Sequence, residues 1–230
     1  MSQDKGTLSI VATPIGNLGD ITLRAVETLR QADIIACEDT RVTAKLLQKY
    51  DIEKPLVIYH ARSGRMNAVR ILQALGEGKR VALVTDAGTP GISDPGAELV
   101  AQVRDRLDGD VNIEAIPGPA ALTAALSITG IPCADFTFLG FLPHKKGRET
   151  LFKEIANAKR AYVFYESPHR LTKALASLVK VLDEKRRVAV CRELTKIHES
   201  VIRGSAQEVE NHFKLHADQV RGEVVIIVGS

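Results

Sequence analysis

Apolar and polar positions along the chain alternate between two spacings. Short runs rich in β-branched residues recur throughout and predict buried strands. The strands are predicted at residues 8–13, 33–37, 56–59, 80–85, 111–116, 135–140, 161–166, 187–193 and 223–229. Helical periodicity is found between them, at residues 22–31, 40–49, 64–77, 96–106, 119–128, 148–158, 168–182 and 205–213. Strands alternating with helices predict an α/β fold, with a largely parallel sheet in the first half.

This alternation is interrupted at "ITGIPCAD" (128–135), where Gly130 and Pro132 break the pattern. Further on, "ESVIRGSAQEV" (199–209) permits a hairpin-like pair of strands, so the second half is expected to contain a mixed sheet. We therefore predict two α/β domains, at residues 1–117 and 118–230.

Composition is typical of a soluble globular protein, with 45% hydrophobic and 26% charged residues. A net charge of +3 permits a nucleic-acid partner without demanding one. The three cysteines are widely spaced in apolar runs and are predicted to be reduced. The start, "MSQDKGTLSI", has no apolar signal region, and no apolar run is long enough to span a bilayer. We predict a cytoplasmic protein without a membrane segment.

Two glycine-containing turns follow predicted strands. The first, "ATPIGNLGDIT", has the spacing G-x-x-G rather than G-x-G-x-x-G, and Pro14 removes a backbone donor. No G-K-[ST] sequence occurs either, so an adenosine ligand without a phosphate fits better than NAD or ATP. Asp20 is alternatively an N-cap of the following helix.

The second turn, "TDAGTPGISDPG" (85–96), combines glycines that permit positive φ with prolines that stiffen the backbone. We expect a rigid, concave surface that can read an adenine edge. Asp86 is placed to contact a hydroxyl or ammonium group. Asp94 could instead cap a helix that begins near Pro95.

Charged residues follow several other strands. In "CEDTR", Glu38, Asp39 and Arg41 would meet at the carboxyl end of the sheet, where open α/β sheets bind ligands, or the acids would simply favour a helix N-terminus. The segments "FLPHKKGR", "YESPHR" and "RELTKIHES" place basic and acidic residues after apolar strands. The first of these forms a basic loop that could meet phosphates or could only be solvated. The histidines lack metal-ligand spacing, and no metal is predicted.

The segments "TPIGNLGDIT", "EDTR", "DAGTPGISDPG", "IPGPAA", "GFLP", "ESPHRL", "RELTK" and "RGEVVIIV" occur in this order over almost the whole chain. Together they resemble the ribosomal RNA small subunit methyltransferase I family of the tetrapyrrole-methylase-like superfamily. The resemblance implies two α/β domains of the tetrapyrrole methylase type, with S-adenosylmethionine in the cleft between them, and usually a homodimer. It also implies 2′-O-methylation of a cytidine in the decoding region of 16S rRNA in the small ribosomal subunit.

The resemblance also assigns residues. Cofactor contacts are expected at Pro14, Ile15, Asp86, Ala87, Gly88, Thr89, Ile92, Ala120, Ala121, Leu122, Glu166, Leu194, Gly222 and Glu223. For catalysis and nucleotide placement we predict Glu38, Asp39, Arg41, Glu193 and Lys196. For RNA binding we predict His144, Lys145, Lys146, Arg148, Arg170 and Arg192.

Two other functions are compatible with this fold. One is a tetrapyrrole C-methyltransferase, although the chain has no Trp and only 4% aromatic residues to line a macrocycle site. The other is a non-catalytic rRNA-binding assembly factor that keeps a vestigial cofactor site. Calorimetry with S-adenosylmethionine separates the second from an enzyme.

Overall fold

The structure is a computed structural model that describes residues 5–60 and 64–230. The first four residues lie outside the described ranges. They belong to the stretch "MSQDKGTLSI", for which the sequence predicts no signal region. The chain divides into two compact units, Met1–Ala120 and Ala121–Ser230. Each unit contains its own five-stranded sheet, which confirms the predicted α/β class.

The first unit contains a wholly parallel sheet. Its strands are β1 (Gly6–Val11), β2 (Ile34–Cys37), β3 (Leu56–Ile58), β4 (Arg80–Leu83) and β5 (Val111–Ile116), in the spatial order β3-β2-β4-β1-β5. Its helices are α1 (Leu23–Gln31), α2 (Thr40–Lys49), α3 (Gly64–Gly76) and α4 (Gly96–Leu107). The parallel pairing that the buried apolar strands predicted is therefore confirmed.

Successive residues of the central strands of this unit enter different cores. Val81 and Leu83 pack with residues of α3 and α4, whereas Ala82 and Val84 pack with residues of α1 and α2. Because side chains alternate between the two faces of a strand, the helices cover both faces of the sheet. Loops can then project only from its ends, and the carboxyl ends of all five strands share one edge.

The second unit contains a mixed sheet. Its strands are β6 (Phe136–Phe141), β7 (Ala161–Glu166), β8 (Arg187–Arg192), β9 (Ser200–Ser205) and β10 (Val224–Val228), in the order β6-β7-β10-β8-β9. Only β6 and β7 are parallel; the other pairs are antiparallel. The helices are α5 (Ala121–Ile128), α6 (Arg148–Asn157), α7 (Pro168–Val181) and α8 (Ala206–Leu215). The predicted mixed sheet is confirmed, including β9, which the sequence only permitted.

One face of this sheet carries the main core of the unit. Phe164, Val190 and Ile226 pack against Phe152 of α6 and Phe213 of α8, together with residues of α7. These five side chains are fully or almost fully buried. The register aligns Glu166, Val224 and the last residue of β8 across three neighbouring strands, so the polar residues that follow them share one sheet edge.

Two expected helix caps differ from the structure. Asp20 is not the N-cap of α1, because it lies in a short 3-10 turn; the cap is Thr22, whose side chain accepts a hydrogen bond from the amide of Ala25. Asp94 accepts from the amide of Gly96 at 2.7 Å, the first residue of α4, although the formal cap position is Pro95. The Asp94 carboxylate also accepts from the amide of Gly91 at 2.8 Å and so closes the loop before α4.

Candidate functional site

The loops that follow β1, β4 and β5 are joined at the carboxyl edge of the first sheet. Thr13 and Gly88 exchange two backbone hydrogen bonds, of 2.9 and 3.1 Å. The Thr13 hydroxyl donates to the carbonyl of Thr85 at 3.0 Å, and the Thr89 hydroxyl donates to the carbonyl of Pro119 at 3.1 Å. The glycine-rich stretch is therefore held in place on both sides.

Gly88 and Gly118 permit the loops after β1, β4 and β5 to approach one another closely. Gly88 has φ of +88°, a region that side-chain-bearing residues rarely adopt. A Cβ at this position would lie 3.5 Å from Cγ2 of Ile15 and 3.8 Å from the carbonyl oxygen of Pro119. At Gly118 a Cβ would lie only 3.1 Å from Cβ of Ala12. The backbone itself forms the wall of this edge, as the glycine and proline pattern predicted.

The loop after β2 is attached to the same edge through carboxylates. The Thr85 hydroxyl donates to Glu38, and the amide of Asp39 donates to Oδ1 of Asp86 at 3.1 Å. Burial raises the pKa of Glu38, the hydrogen bond from Thr85 opposes this, and the nearby Asp86 and Asp94 raise the pKa further. Glu38 is therefore a better proton acceptor near neutral pH than an ordinary glutamate.

Asp39 has a different environment. Its side chain caps α2 by accepting from the amide of Arg41, and it forms an ion pair of 2.6 Å with the Arg41 guanidinium. The hydrogen bond to the Arg41 side chain lowers the pKa of Asp39 to about 2. A carboxylate held at this pKa is a weak base. Arg41 itself remains accessible, since 86% of its side chain is exposed.

The predicted cofactor residues of the first unit surround this edge. Pro14, Ile15 and Gly88 are buried and shape the backbone wall. Thr89 and Ala120 are half-buried, whereas Asp86, Ala87 and Ile92 are exposed.

In the second unit, the predicted residues after β8 and before β10 lie together. Lys196 forms ion pairs with Glu193 at 3.0 Å and with Glu223 at 3.2 Å. The backbones of Glu193 and Glu223 are also paired, and Oε1 of Glu193 accepts from the Glu223 amide at 2.9 Å. Gly222 has φ of +80°, and a Cβ there would collide with the Glu193 side chain. Leu194 is buried beside this cluster.

Burial by itself would raise the pKa of Glu193, but the amide of Glu223 and the ammonium of Lys196 outweigh it and the pKa lies below its usual range. The pKa of Lys196 is likewise raised: its burial opposes protonation, and the two carboxylates more than compensate. Glu193 is therefore a firmly ionised carboxylate bound to a lysine. That arrangement suits structure or charge placement better than proton abstraction.

Glu166 follows β7 and is fully buried. Its Oε2 pairs with Arg148 at 2.6 Å, and its Oε1 pairs with Arg170 at 2.7 Å and accepts from the amide of Ser167 at 2.9 Å. Only 13% and 18% of the two arginine side chains are exposed. Both carboxylate oxygens are thus occupied by the protein, so any cofactor contact at this position would fall to backbone atoms.

The predicted RNA-binding residues fall into two groups. Arg192 is buried, and its guanidinium donates to the carbonyl of His198 at 2.9 Å and to the Ser200 hydroxyl at 3.2 Å. Like the arginines at 148 and 170, it makes hydrogen bonds within the protein. The exposed members are His144, Lys145 and Lys146.

Sequence reasoning missed the threonines that organise the first site. Thr13 and Thr85 are buried, and their hydroxyls connect the loops after β1, β2 and β4. Their position in the sequence could have indicated this role, because each threonine is the first polar residue after an apolar strand and lies next to a glycine-containing turn. Such a hydroxyl must find a partner when it is buried.

Within residues 5–60 and 64–230, no group of three or more His, Cys, Asp or Glu side chains is arranged to hold a metal ion. No helix in the same ranges has the length and apolar character needed to cross a membrane. The cysteines are free; Cys37 and Cys191 are buried and Cys133 is half-buried.

Comparison with known proteins gives two kinds of likeness. The family model described as Tetrapyrrole (Corrin/Porphyrin) Methylases matches residues 7–210. A protein named ribosomal RNA small subunit methyltransferase I from Thermotoga maritima is 44% identical over 224 residues, covering 97% of this chain and 98% of the relative. Proteins of the same name from Halalkalibacterium halodurans and Bacillus subtilis are 46% and 43% identical, and each alignment covers 98% of this chain and 76% or 75% of the relative.

Among solved structures, the methyltransferase CobJ superimposes with a TM-score of 0.71 at 20% identity, covering 99% of this chain and 94% of that one. Uroporphyrin-III C-methyltransferase from Thermus thermophilus, complexed with S-adenosyl homocysteine, superimposes with a TM-score of 0.63 at 19% identity, covering 98% and 97%. These likenesses at low identity establish the tetrapyrrole methylase type of fold.

Proposed function

Since the chain belongs to the tetrapyrrole (corrin/porphyrin) methylase family, and within it to the ribosomal RNA small subunit methyltransferases I, we propose that it transfers a methyl group from S-adenosylmethionine to small-subunit rRNA. We further propose that the acceptor is the 2′-oxygen of a cytidine in the decoding region of 16S rRNA. The structural observation that carries the proposal is the edge of the first sheet, where a backbone wall around Gly88 is joined to the carboxylates Glu38 and Asp86.

The residues at this edge fit a nucleoside without phosphates. No lysine or arginine occurs in the glycine-rich stretch 85–96, so nothing there would neutralise a pyrophosphate. The exposed carboxylate of Asp86 can accept hydrogen bonds from ribose hydroxyls or from an ammonium group. Ile92, with 41% of its surface exposed, offers an apolar contact. When bound, S-adenosylmethionine would supply the electrophilic methyl group of its sulfonium.

The chain must then orient the acceptor oxygen and manage its proton. A ribose hydroxyl is a weak acid, so a positioned base accelerates its reaction with an electrophile. Of the three candidate carboxylates, Glu38 has the raised pKa, Asp39 is held at a pKa of about 2, and the pKa of Glu193 is lowered. We assign the role of base to Glu38, with Thr85 orienting its carboxylate and Arg41 placing the nucleotide.

The RNA contacts belong to exposed cations. Arg41 on the first unit and the loop containing His144, Lys145 and Lys146 on the second are accessible. Phosphate contacts of this kind make the affinity for RNA fall as salt is raised. We propose that the enzyme acts on small subunits in the cytoplasm as a homodimer, which sedimentation equilibrium would test.

The decisive experiment is methylation of small subunits from a strain that lacks the enzyme. With labelled S-adenosylmethionine, we expect the label on one cytidine ribose of 16S rRNA, located by mapping the modified nucleotide. Label on a base, on several sites or on no RNA would contradict the proposal. Binding of S-adenosylmethionine without any transfer would favour the assembly-factor function instead.

The assignment of Glu38 is tested by three matched amide variants. We expect Glu38→Gln to lower kcat by about 100- to 10,000-fold, the range of general-base contributions, with Asp39→Asn and Glu193→Gln affecting kcat less. An acid limb in the pH profile of kcat that is lost in Glu38→Gln would support the role. Losses below tenfold in all three variants would show that positioning, not a carboxylate base, carries the rate.

A further inference from the structure

The loop between β6 and α6, residues 142–147, carries two adjacent exposed lysines. His144, Lys145 and Lys146 are exposed, and within the described ranges their side chains form no ion pair or hydrogen bond. A loop with two adjacent free lysines would ordinarily sample many conformations, and each would have to be given up on binding RNA. Contacts that fix the backbone of this loop before binding should therefore increase its affinity for RNA.

Both arginines that hold Glu166 also hold the start of this loop. Arg148 donates from Nη1 to the carbonyl of Pro143 at 3.2 Å, and Arg170 donates from Nη1 to the carbonyl of Leu142 at 3.1 Å. The two guanidiniums come from different helices, α6 and α7, and meet only at the Glu166 carboxylate. One buried acid thus orients two cations, and each cation fixes one carbonyl of the loop.

The remaining contacts anchor the same segment. Leu142 is 2% exposed and belongs to the main core of the unit. The guanidinium of Arg148 lies 5.3 Å from the centre of the Phe152 ring. At the other end of the loop, Gly147 has φ of +83° and precedes α6 directly. Residues 144–146 are therefore held between two fixed ends, with their charges directed to solvent.

We propose that Glu166 is a positioning residue for the RNA substrate: through Arg148 and Arg170 it fixes the loop 142–147, so that Lys145 and Lys146 are pre-oriented for neighbouring phosphates. This deepens the proposed function and rests on it. The arginines that looked like RNA ligands act here through the backbone of the loop. The carboxylate acts on the RNA side of the reaction rather than as a ligand of the cofactor.

The test is Glu166→Gln, which preserves the size of the side chain and removes the charge that both guanidiniums share. We expect the KM for small subunits to rise about tenfold, while kcat and the Kd for S-adenosylmethionine change less than about threefold. The slope of log affinity against log salt should also become shallower, because fewer phosphates are contacted at once. Calorimetry measures the cofactor, and filter binding measures the RNA.

A double-mutant cycle with the lysines gives the sharper readout. We expect the pair Lys145→Ala, Lys146→Ala to raise KM at least as much as Glu166→Gln, and the triple variant to be no worse than the lysine pair. Glu149→Gln is the matched control: it removes an exposed carboxylate next to the loop that contacts neither guanidinium. Its KM should not rise.

If Glu166→Gln does not fold, Arg148→Gln replaces it, because Glu166 then keeps Arg170 while one loop contact is lost. A smaller rise of KM, of about threefold, is expected there. The inference is overturned if either variant weakens S-adenosylmethionine binding as much as RNA binding, or if its effect multiplies with that of the lysine pair. If the wild type does not methylate small subunits, the proposed function fails, whereas the cycle measured by RNA binding still decides the role of Glu166.

Discussion

Gly88→Ala probes whether the backbone of the glycine-rich stretch holds the cofactor. With φ of +88°, an alanine at this position is disfavoured by about 1–2 kcal/mol. Crowding adds little, because the new methyl group would lie 3.5 Å from Ile15 and 3.8 Å from Pro119, which are ordinary contact distances. If the free variant relaxes out of this conformation and must readopt it to bind, the same 1–2 kcal/mol raises the Kd for S-adenosylmethionine about 5- to 30-fold.

Gly109→Ala is the matched control for this prediction. Gly109 has φ of +81° in the turn between α4 and β5, and a Cβ there would meet no atom within 4 Å. It should lower the free energy of unfolding by about the same 1–2 kcal/mol in urea titrations and leave the Kd unchanged. Calorimetry gives the Kd of both variants. If Gly88→Ala binds the cofactor within twofold of the wild type, the conformation of this loop does not hold the ligand.

Two predictions concern stability. Arg186→Met should lower the free energy of unfolding by about 3 kcal/mol in urea titrations. The reason is that the buried guanidinium donates to the carbonyl of Gly229 at 2.7 Å and to three carbonyls at the end of α6. The control is the exposed neighbour variant Arg187→Met, for which a loss of about 0.5 kcal/mol is expected, and an equally small loss in Arg186→Met would contradict the prediction. Burial raises the pKa of the Cys191 thiol from 9.0 to about 12. The contribution of this thiol to the free energy of unfolding is therefore intact below pH 9 and is lost as the pH rises from 9 to 12. The free energy of unfolding falls there by up to about 1.4 kcal/mol per pH unit. In Cys191→Ala, the free energy of unfolding should therefore fall less steeply between pH 9 and 12 than in the wild type. Equal slopes in the two proteins would show that Cys191 does not cause this pH dependence.

The strands and helices could be predicted from the sequence where the spacing of apolar residues clearly fits one of the two types. The predicted strands and helices were found with end differences of a few residues, because buried β-branched runs and amphipathic segments are locally determined. The loops of the first site were also predicted, since parallel strands bring their carboxyl ends to one edge.

Partnerships between distant residues could not be predicted in this way. Glu166 and Arg170 are near each other in sequence, yet only the packing of α6 against α7 brings Arg148 to the same carboxylate. In "DEKRR", Arg186 looks like one more solvated charge, although the fold buries it at the end of α6. Local patterns carry no information on which cation of a charged run faces inward, because that depends on the tertiary neighbours.

The order of strands has a consequence for how the protein is made. The first sheet is complete once Ile116 has been synthesised, so the N-terminal unit can fold while the rest is still being translated. The second sheet has its last-made strand, β10, at its centre, between β7 and β8. Until residues 224–228 emerge from the ribosome, β7 and β8 each expose an unpaired edge, and the core around Ile226 stays open. A nascent chain stalled before this strand would thus consist of one finished unit and one that is prone to aggregate.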